Sequence, residues 1–164
     1  MALASQRTAL RLVPTTTEQA RPAQWFCGHC GAIAAQTPAP VARVCGDCNL
    51  GLLVEARAEL VPQRGEPFLI VDGGLTVCAL SAEAQEFLAV DERDAISRPV
   101  TELLAPADAE AATVAAFADT IMWAAGGDDE PRRLTVRPAN VFGVRMPMRV
   151  GVCGPPRAAL LVLE

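Results

Sequence analysis

The C-terminal part of the chain shows an order of hydrophobic and polar positions that predicts two strands at its start. An apolar run, PFLIVD (67–72), is followed by the turn sequence Asp-Gly-Gly (72–74) and by a second run, LTVCALS (75–81). Short runs of β-branched and large apolar residues on either side of such a turn are typical of an antiparallel hairpin. We therefore expect this hairpin to begin a sheet.

The spacing of apolar residues then becomes helical. Ser81 stands where a helix N-cap is expected. The apolar side of the helix that follows comprises Ala84, Phe87 and Leu88. The longest helical pattern covers residues 106–127, with Pro106 at its first position and Gly126-Gly127 at its end. Its apolar stripe comprises Val114, Phe117, Ala118, Ile121 and Met122.

Strand-like alternation returns at the end of the chain. Residues 132–139 and 141–154 alternate apolar and polar positions, and AALLVLE (158–164) is a more buried run. Pro147 favours an edge position or a bulge, because proline has no amide donor. The alternating Arg145 and Arg149 indicate a solvated face rather than an anion site. Two strands, several helices and three strands predict an α+β fold, with helices packed mainly on one face of an antiparallel sheet.

The stretch PFLIVDGGLTVCALSAEAQEFLAVDERDAISRPVTELL, within this order of elements, resembles the PAS domain family. Family members typically begin with an apolar strand and an acidic-Gly turn, and their second strand ends in a small polar residue that opens a helix. The matching positions are Asp72, Gly73, Ser81, Phe87, Leu88, Asp94 and RPVTELL (98–104). The chain departs from the family at Ser97-Arg98, where a glycine is usual, and at Ser81, where asparagine is frequent. The resemblance covers residues 66–164.

The resemblance implies a sensor that binds small ligands between sheet and helices, dimerises, and passes a conformational signal to an effector. Histidine-ligated haem needs a helix histidine, and the only histidine, His29, lies outside the PAS-like stretch. The cysteine-bearing helix motif of flavin photoreceptors and the tyrosine of coumarate photoreceptors are both missing. Neither haem nor flavin is therefore expected. Two alternatives remain, an aliphatic pocket for an unknown ligand or a filled core that acts as a docking surface.

Four of the six cysteines lie in the run FCGHCGAIAAQTPAPVARVCGDCNLG (26–51), as two Cys-Gly-x-Cys pairs. The pairs are Cys27 with Cys30 and Cys45 with Cys48. Two intervening residues let one tight turn direct both sulfurs at one ion, and the pairs are spaced just short of the roughly 15–20 residues usual in zinc sites. Four thiolates suit tetrahedral zinc at a closed structural site. The metal would replace the core that so short an element lacks. We predict structural zinc, with rubredoxin-like iron as the alternative.

Other interpretations of the cysteine pairs have less support. A thioredoxin-like redox pair would need a βαβ setting, and a reducing compartment disfavours disulfides. Gly28 and Gly46 are expected to permit the two turns, and Gly31 and Gly51 are expected to supply further backbone freedom. Trp25 and Phe26 are expected to pack the element against its neighbour rather than to stack on a base.

The remaining chemistry-bearing residues favour structural roles. His29 is expected to be an exposed loop residue rather than a metal ligand. Cys78 and Cys153 lie in predicted strands and are expected to be buried thiols. We find no combination of nucleophile, base and acid, so the chain is not expected to be an enzyme.

Charge and hydropathy restrict the partners. Residues 1–65 carry 6 arginines against 4 acidic residues, whereas residues 66–164 carry 8 against 15, which together give the net charge of −5. The larger part therefore lacks the basic footprint of a nucleic-acid binder. No run reaches the roughly 18 apolar residues of a membrane span. Because Arg7 and Arg11 interrupt the N-terminus, no signal peptide is predicted and the expected location is the cytoplasm.

These observations divide the chain into a flexible arm (1–22), a zinc ribbon (23–53), a connector (54–65) and a PAS-like sensor domain (66–164). The predicted function is a zinc-binding, PAS-like module for signal transduction or protein interaction, with no effector domain of its own. Its expected partners are another protein, a second copy that pairs through the PAS-like domain, or a small ligand. The alternative is a transcription-associated regulator whose zinc ribbon contacts nucleic acid.

Overall fold

The structure, a computed structural model, describes residues 22–108 and 111–164. The predicted flexible arm lies outside the described residues except for Pro22. The strands are β1 (Ala23–Cys27), β2 (Leu53–Arg57), β3 (Phe68–Val71), β4 (Val77–Leu80), β5 (Leu104–Pro106), β6 (Arg132–Pro138), β7 (Met146–Gly154) and β8 (Ala158–Leu163). The helices are α1 (Ala82–Leu88), α2 (Glu92–Ala95) and α3 (Ala111–Gly126), with a 3-10 turn at Val100–Glu102. None of the helices in these ranges is long and apolar enough to cross a membrane.

The strands of the described residues form one antiparallel sheet of 8 strands. Its main order is β1-β2-β7-β8-β3-β4, and β6 pairs with both β5 and β7. The predicted hairpin is present, with Leu69 opposite Leu80 in β3 and β4. The α+β class and the antiparallel sheet are therefore confirmed. The predicted connector contains most of β2, which pairs with β1 on one side and with the end of β7 on the other.

Both faces of the sheet are buried at β8, whose side chains are all buried. Ala159, Leu161 and Leu163 of β8 point to the inner face, where they pack with residues of α1 and α3. Ala158, Leu160 and Val162 point to the opposite side, which we call the outer face. There they pack with Phe26, Val54, Ala56, Leu60 and Val61 from β1, β2 and the turn after β2. The helices lie on one face as predicted, and the N-terminal residues cover the other.

Ser81 joins the hairpin to the first helix in the way that the sequence predicts. Its hydroxyl oxygen accepts hydrogen bonds from the backbone amides of Ala84 and Phe68, both at 3.1 Å. The residue is fully buried, so neither amide has water as an alternative acceptor. One side chain therefore caps α1 and also fixes the start of β3.

Replacement of Ser81 by alanine is expected to lower the free energy of unfolding by about 2–3 kcal/mol, because it removes a cap and leaves two amides without an acceptor. Urea unfolding monitored by circular dichroism measures this loss. The matched control is Asp91→Ala, at an N-cap whose side chain makes no capping hydrogen bond. The control should change stability by less than about 0.5 kcal/mol. Equal losses in the two variants would contradict the double role of Ser81.

Three details of the predicted helices are wrong. Pro106 ends strand β5 and does not begin a helix, because residues 104–106 pair with β6. The stripe of α3 is narrower than predicted. Phe117 and Ile121 are buried, whereas Val114 and Met122 are exposed, because the helix contacts the sheet along one line of side chains. Phe87 of α1 is also exposed. The predicted end of α3 is confirmed, since the helix stops at Gly126 and Gly127 has a φ of +101°.

The two predictions for β7 are corrected by its position inside the sheet. Pro147 lies in a strand with partners on both sides, and its carbonyl accepts a hydrogen bond from the amide of Glu164 at the end of β8. Pro147 has no amide hydrogen to donate, and the side on which it would donate faces the point where β8 ends. Arg149 is largely buried and paired with Glu66 at 2.7 Å and Glu164 at 2.6 Å, so its position is not a solvated face.

Candidate metal centre

The four-cysteine element (residues 23–53) holds its cysteines on two similar turns. The first turn follows β1, and the amide of Gly31 donates to the carbonyl of Cys27 at 3.0 Å. In the second turn the amide of Asn49 donates to the carbonyl of Cys45, also at 3.0 Å. Gly31 and Asn49 both have positive φ angles, of +69° and 55°. Glycine and asparagine are the residues that most readily adopt this conformation.

The sequence correctly predicts that the two pairs of cysteines come together. All four sulfur atoms lie within 4.8 Å of one another. The sulfurs of Cys27 and Cys48 are 3.7 Å apart, and those of Cys30 and Cys45 are 3.8 Å apart. A zinc ion with about 2.3 Å bonds to four sulfurs at the corners of a tetrahedron places those sulfurs about 3.8 Å apart. The thiol cluster thus has the size that a tetrahedral metal ion needs.

Backbone amides point at the sulfurs and favour their ionised form. The amides of His29 and Cys30 donate to Cys27 Sγ at 3.4 and 3.5 Å, and the amide of Gly51 donates to Cys48 Sγ at 3.4 Å. The hydrogen bond from Gly51 is the main reason that the pKa of Cys48 is lowered to about 6. Burial outweighs the amides at Cys27 and raises the pKa of that thiol to about 12. A cation at the centre would offset the burial of such a thiolate.

Gly51 is the glycine that the site requires for steric reasons. A Cβ at this position would overlap Cys27 Sγ and would lie 2.6 Å from the Cβ of His29. A Cβ at Gly46 would meet nothing within 4 Å. The prediction that Gly28 and Gly46 permit the turns is wrong, because neither residue has a positive φ angle. The positive φ angles lie at Gly31 and Asn49, one residue after the second cysteine of each pair.

The four-cysteine element is attached to the rest of the sheet by packing and by hydrogen bonds. Phe26 is completely buried and meets Phe68 edge to face, with the ring centroids 5.8 Å apart. This contact confirms the predicted packing role of Phe26. His29 is half-buried and not an exposed loop residue, because its Nδ1 lies 3.1 Å from Glu92 Oε2 of α2. The end of β1 and the first cysteine turn are thus attached to the C-terminal part of the chain through Phe68 and through α2.

The arginines nearest the cysteines are engaged within the protein. The Nη1 of Arg43 donates to the carbonyl of Pro155 at 3.0 Å, and its guanidinium lies 5.6 Å from the centre of the Trp25 ring. Arg57 is buried, donates to the carbonyl of Asp129 and pairs with Glu59. Trp25 therefore packs within the element, and neither arginine is oriented as a phosphate contact would require.

The other two cysteines differ from each other. Cys153 is buried on the outer face, and burial raises the pKa of its thiol to about 12, which confirms the predicted structural role. Cys78 is exposed, so the prediction for this residue is wrong. It lies on β4, the last strand of the main sheet order, beyond the part of the outer face that β1 and β2 cover. The pKa of Cys78 is raised, mainly by partial burial and then by the charge of Asp72.

The space between the sheet and the helices is occupied by side chains of the protein itself. Large buried residues from both sides meet there, including Leu80, Leu104, Phe117, Ile121 and Met148. They form one continuous cluster that extends from β3 and β4 to α3 and β6. Of the two alternatives that the sequence leaves open, the geometry favours the filled core.

Comparisons with known proteins identify similarity to solved structures. No protein-family model matches the chain, and no curated protein matches its sequence. Among solved structures, the chain is similar to the PAS domain of nitrogen regulation protein NR(II) from Vibrio parahaemolyticus. The two share 12% identity with a TM-score of 0.45, and the matched part covers 61% of this chain and 88% of that chain.

Proposed function

We propose that the protein is a PAS-like module for signalling or protein interaction whose N-terminal side is held together by one structural zinc ion. The observation that carries this proposal is the cluster of four sulfur atoms within 4.8 Å. The PAS-like part is supported by the motifs of residues 66–104 and by the order of hairpin, helices and three strands that follows them.

The donor set supports zinc as a resident ion. Thiolates are the ligands of structural zinc sites, and the separations of 3.7 and 3.8 Å between sulfurs of different turns agree with the edges of a zinc–thiolate tetrahedron. Cys27, Cys30, Cys45 and Cys48 would hold the ion. When bound, it would link by coordination two turns that otherwise share few large apolar side chains.

A catalytic role is not proposed. Four thiolates leave a zinc ion no open position for water or substrate, so the centre would be structural. The imidazole of His29, the single histidine of the chain, is hydrogen-bonded to the carboxylate of Glu92. The nucleic-acid alternative is not favoured, because Arg43 and Arg57 are engaged in intramolecular contacts. We propose another protein, or a second copy of this chain, as the partner.

Metal analysis by inductively coupled plasma mass spectrometry tests the proposal. The purified protein should contain one zinc per chain, with iron well below that amount. The variant Gly51→Ala should lower zinc affinity by at least tenfold, because its Cβ overlaps Cys27 Sγ. The matched variant Gly46→Ala, where a Cβ has open space, should bind like the original protein. A protein without metal, or one in which the two variants behave alike, would overturn the proposed centre.

A further inference from the structure

A cavity of about 570 Å³ lies on the outer face, between the four-cysteine element and the sheet. Its apolar walls are formed by Leu50 and Leu52 from the element and by Val54, Ile70, Ala79 and Ala158 from the sheet. Cavities of about 300–1,000 Å³ with mostly apolar walls are typical of small-molecule sites in proteins. The cavity is on the opposite side of the sheet from the filled core between sheet and helices.

The polar groups at the cavity favour one sign of charge. Asp72 and Glu92 place carboxylates at its margin. Gly28 and Gly51 form the wall that faces the thiol cluster, which would carry a net negative charge with zinc bound. Arg157 also lines the cavity, but the Nη1 of its guanidinium is engaged with the carbonyl of Gly126 at the end of α3. The surroundings therefore disfavour a ligand with a negative charge.

We propose that this cavity binds a small, mostly apolar molecule that is neutral or cationic, and that the ligand and the metal stabilise each other. Five of the residues that line the cavity belong to the two cysteine turns and the adjoining chain, namely Gly28, His29, Leu50, Gly51 and Leu52. Loss of the metal would free these five residues from the positions in which they line the cavity. Because coupling between two sites is reciprocal, a ligand in the cavity would also slow release of the metal. The coupling rests on the proposed zinc centre, whereas the cavity itself does not.

Fluorescence titration of the metal-loaded full chain with two dyes tests the proposal. Nile red, an uncharged apolar dye, should bind at least tenfold more tightly than anilinonaphthalene sulfonate, an anionic one. Two independent variants, Ala79→Phe and Cys78→Phe, place a bulky ring in the cavity and should each weaken Nile red binding at least tenfold. Cys78 is exposed, so its replacement leaves the buried core intact. The control Phe142→Ser removes an exposed ring that does not line the cavity, and should bind Nile red unchanged.

Metal content measured in the same samples separates the two proposals. Nile red binding that both filling variants abolish, in a protein without metal, would support the cavity and overturn the zinc centre. If the protein contained zinc and neither filling variant weakened Nile red binding relative to the original protein, the cavity proposal would be overturned. The cavity proposal would also be overturned if the anionic dye bound as tightly as Nile red. For the coupling, saturating Nile red should slow the transfer of zinc to a chromogenic chelator at least threefold, and an unchanged rate would contradict it.

Discussion

Removal of the metal from the protein is expected to unfold the four-cysteine element and to leave the helical side of the sheet folded. Phe26, Cys27 and Cys45 are buried in the element, and the metal would be the link between its two turns. A site saturated a thousandfold above its dissociation constant contributes about 4 kcal/mol, which for a chain of this size is about 10 °C in melting temperature. Differential scanning fluorimetry with and without a chelator measures this shift.

Hydrogen exchange localises the same change along the chain. Amides of β1 and β2 should lose protection after chelation, because these strands are paired mainly with each other and β2 pairs with β7 only through Glu55 and Ala56. Amides of α3 and of the β7–β8 pair should keep theirs, since they belong to the cluster on the inner face. A uniform loss of protection, or none, would contradict this division of stability.

A pair of cysteine variants provides the matched control. Cys45→Ser removes a buried member of the thiol cluster and should reproduce the effect of the chelator in the untreated protein. Cys78→Ser changes an exposed thiol outside the cluster and should leave both the melting temperature and the metal content unchanged. If both variants melted like the original protein, the four thiols would not hold a stabilising ion.

The parts of the site that can be predicted from sequence depend on local spacing. Two residues between cysteines restrict both sulfurs to one turn, so the spacing alone assigns Cys27 with Cys30 and Cys45 with Cys48 as pairs. Ser81 can likewise be predicted as a cap, because the chain changes from strand to helix at that residue. Residues that are close together in the sequence are sufficient to predict each of these features.

The features that could not be predicted depend on contacts between distant residues. Gly51 is required because it meets Cys27 and His29 across the element, and nothing in its own neighbourhood in sequence indicates this contact. The exposure of Cys78 depends on how much of the outer face β1 and β2 cover. Pro106 follows a plausible helix signal, but pairing of residues 104–106 with β6 outweighs that local preference. Tertiary packing decides each of these positions.

The continuity of the sheet across the predicted connector has the same origin. The sequence is compatible with a short helix or strand in residues 54–65, and the strand is the form present, at Leu53–Arg57. The side chains of Val54 and Ala56 belong to the buried cluster on the outer face, together with residues of β3 and β8. The alternation needed for this packing is visible in the sequence, but the identity of the neighbouring strand is not.

The contact between Leu60 and Gly151 is expected to contribute strongly to the free energy of unfolding, because it packs the turn after β2 against the outer face. Leu60 is almost completely buried, and a Cβ on Gly151 of β7 would overlap its Cδ1. Leu60→Ala should therefore lower the free energy of unfolding by about 2–5 kcal/mol through the cavity that it leaves. Gly151→Ala should lower it by about 1–3 kcal/mol through overpacking. Urea unfolding of the metal-loaded protein measures both values.

The double variant separates a direct contact from two unrelated defects. An alanine at position 151 has room for its Cβ once Leu60 is shortened, so the double variant should be more stable than the sum of the two losses predicts, by about 1 kcal/mol or more. Val41→Ala, at an aliphatic residue that is 97% exposed, is the control and should have little effect. Strict additivity would mean that Leu60 does not pack on Gly151. Because this turn and the cysteine element cover the same face, a weakened contact should also increase exchange of the β2 amides.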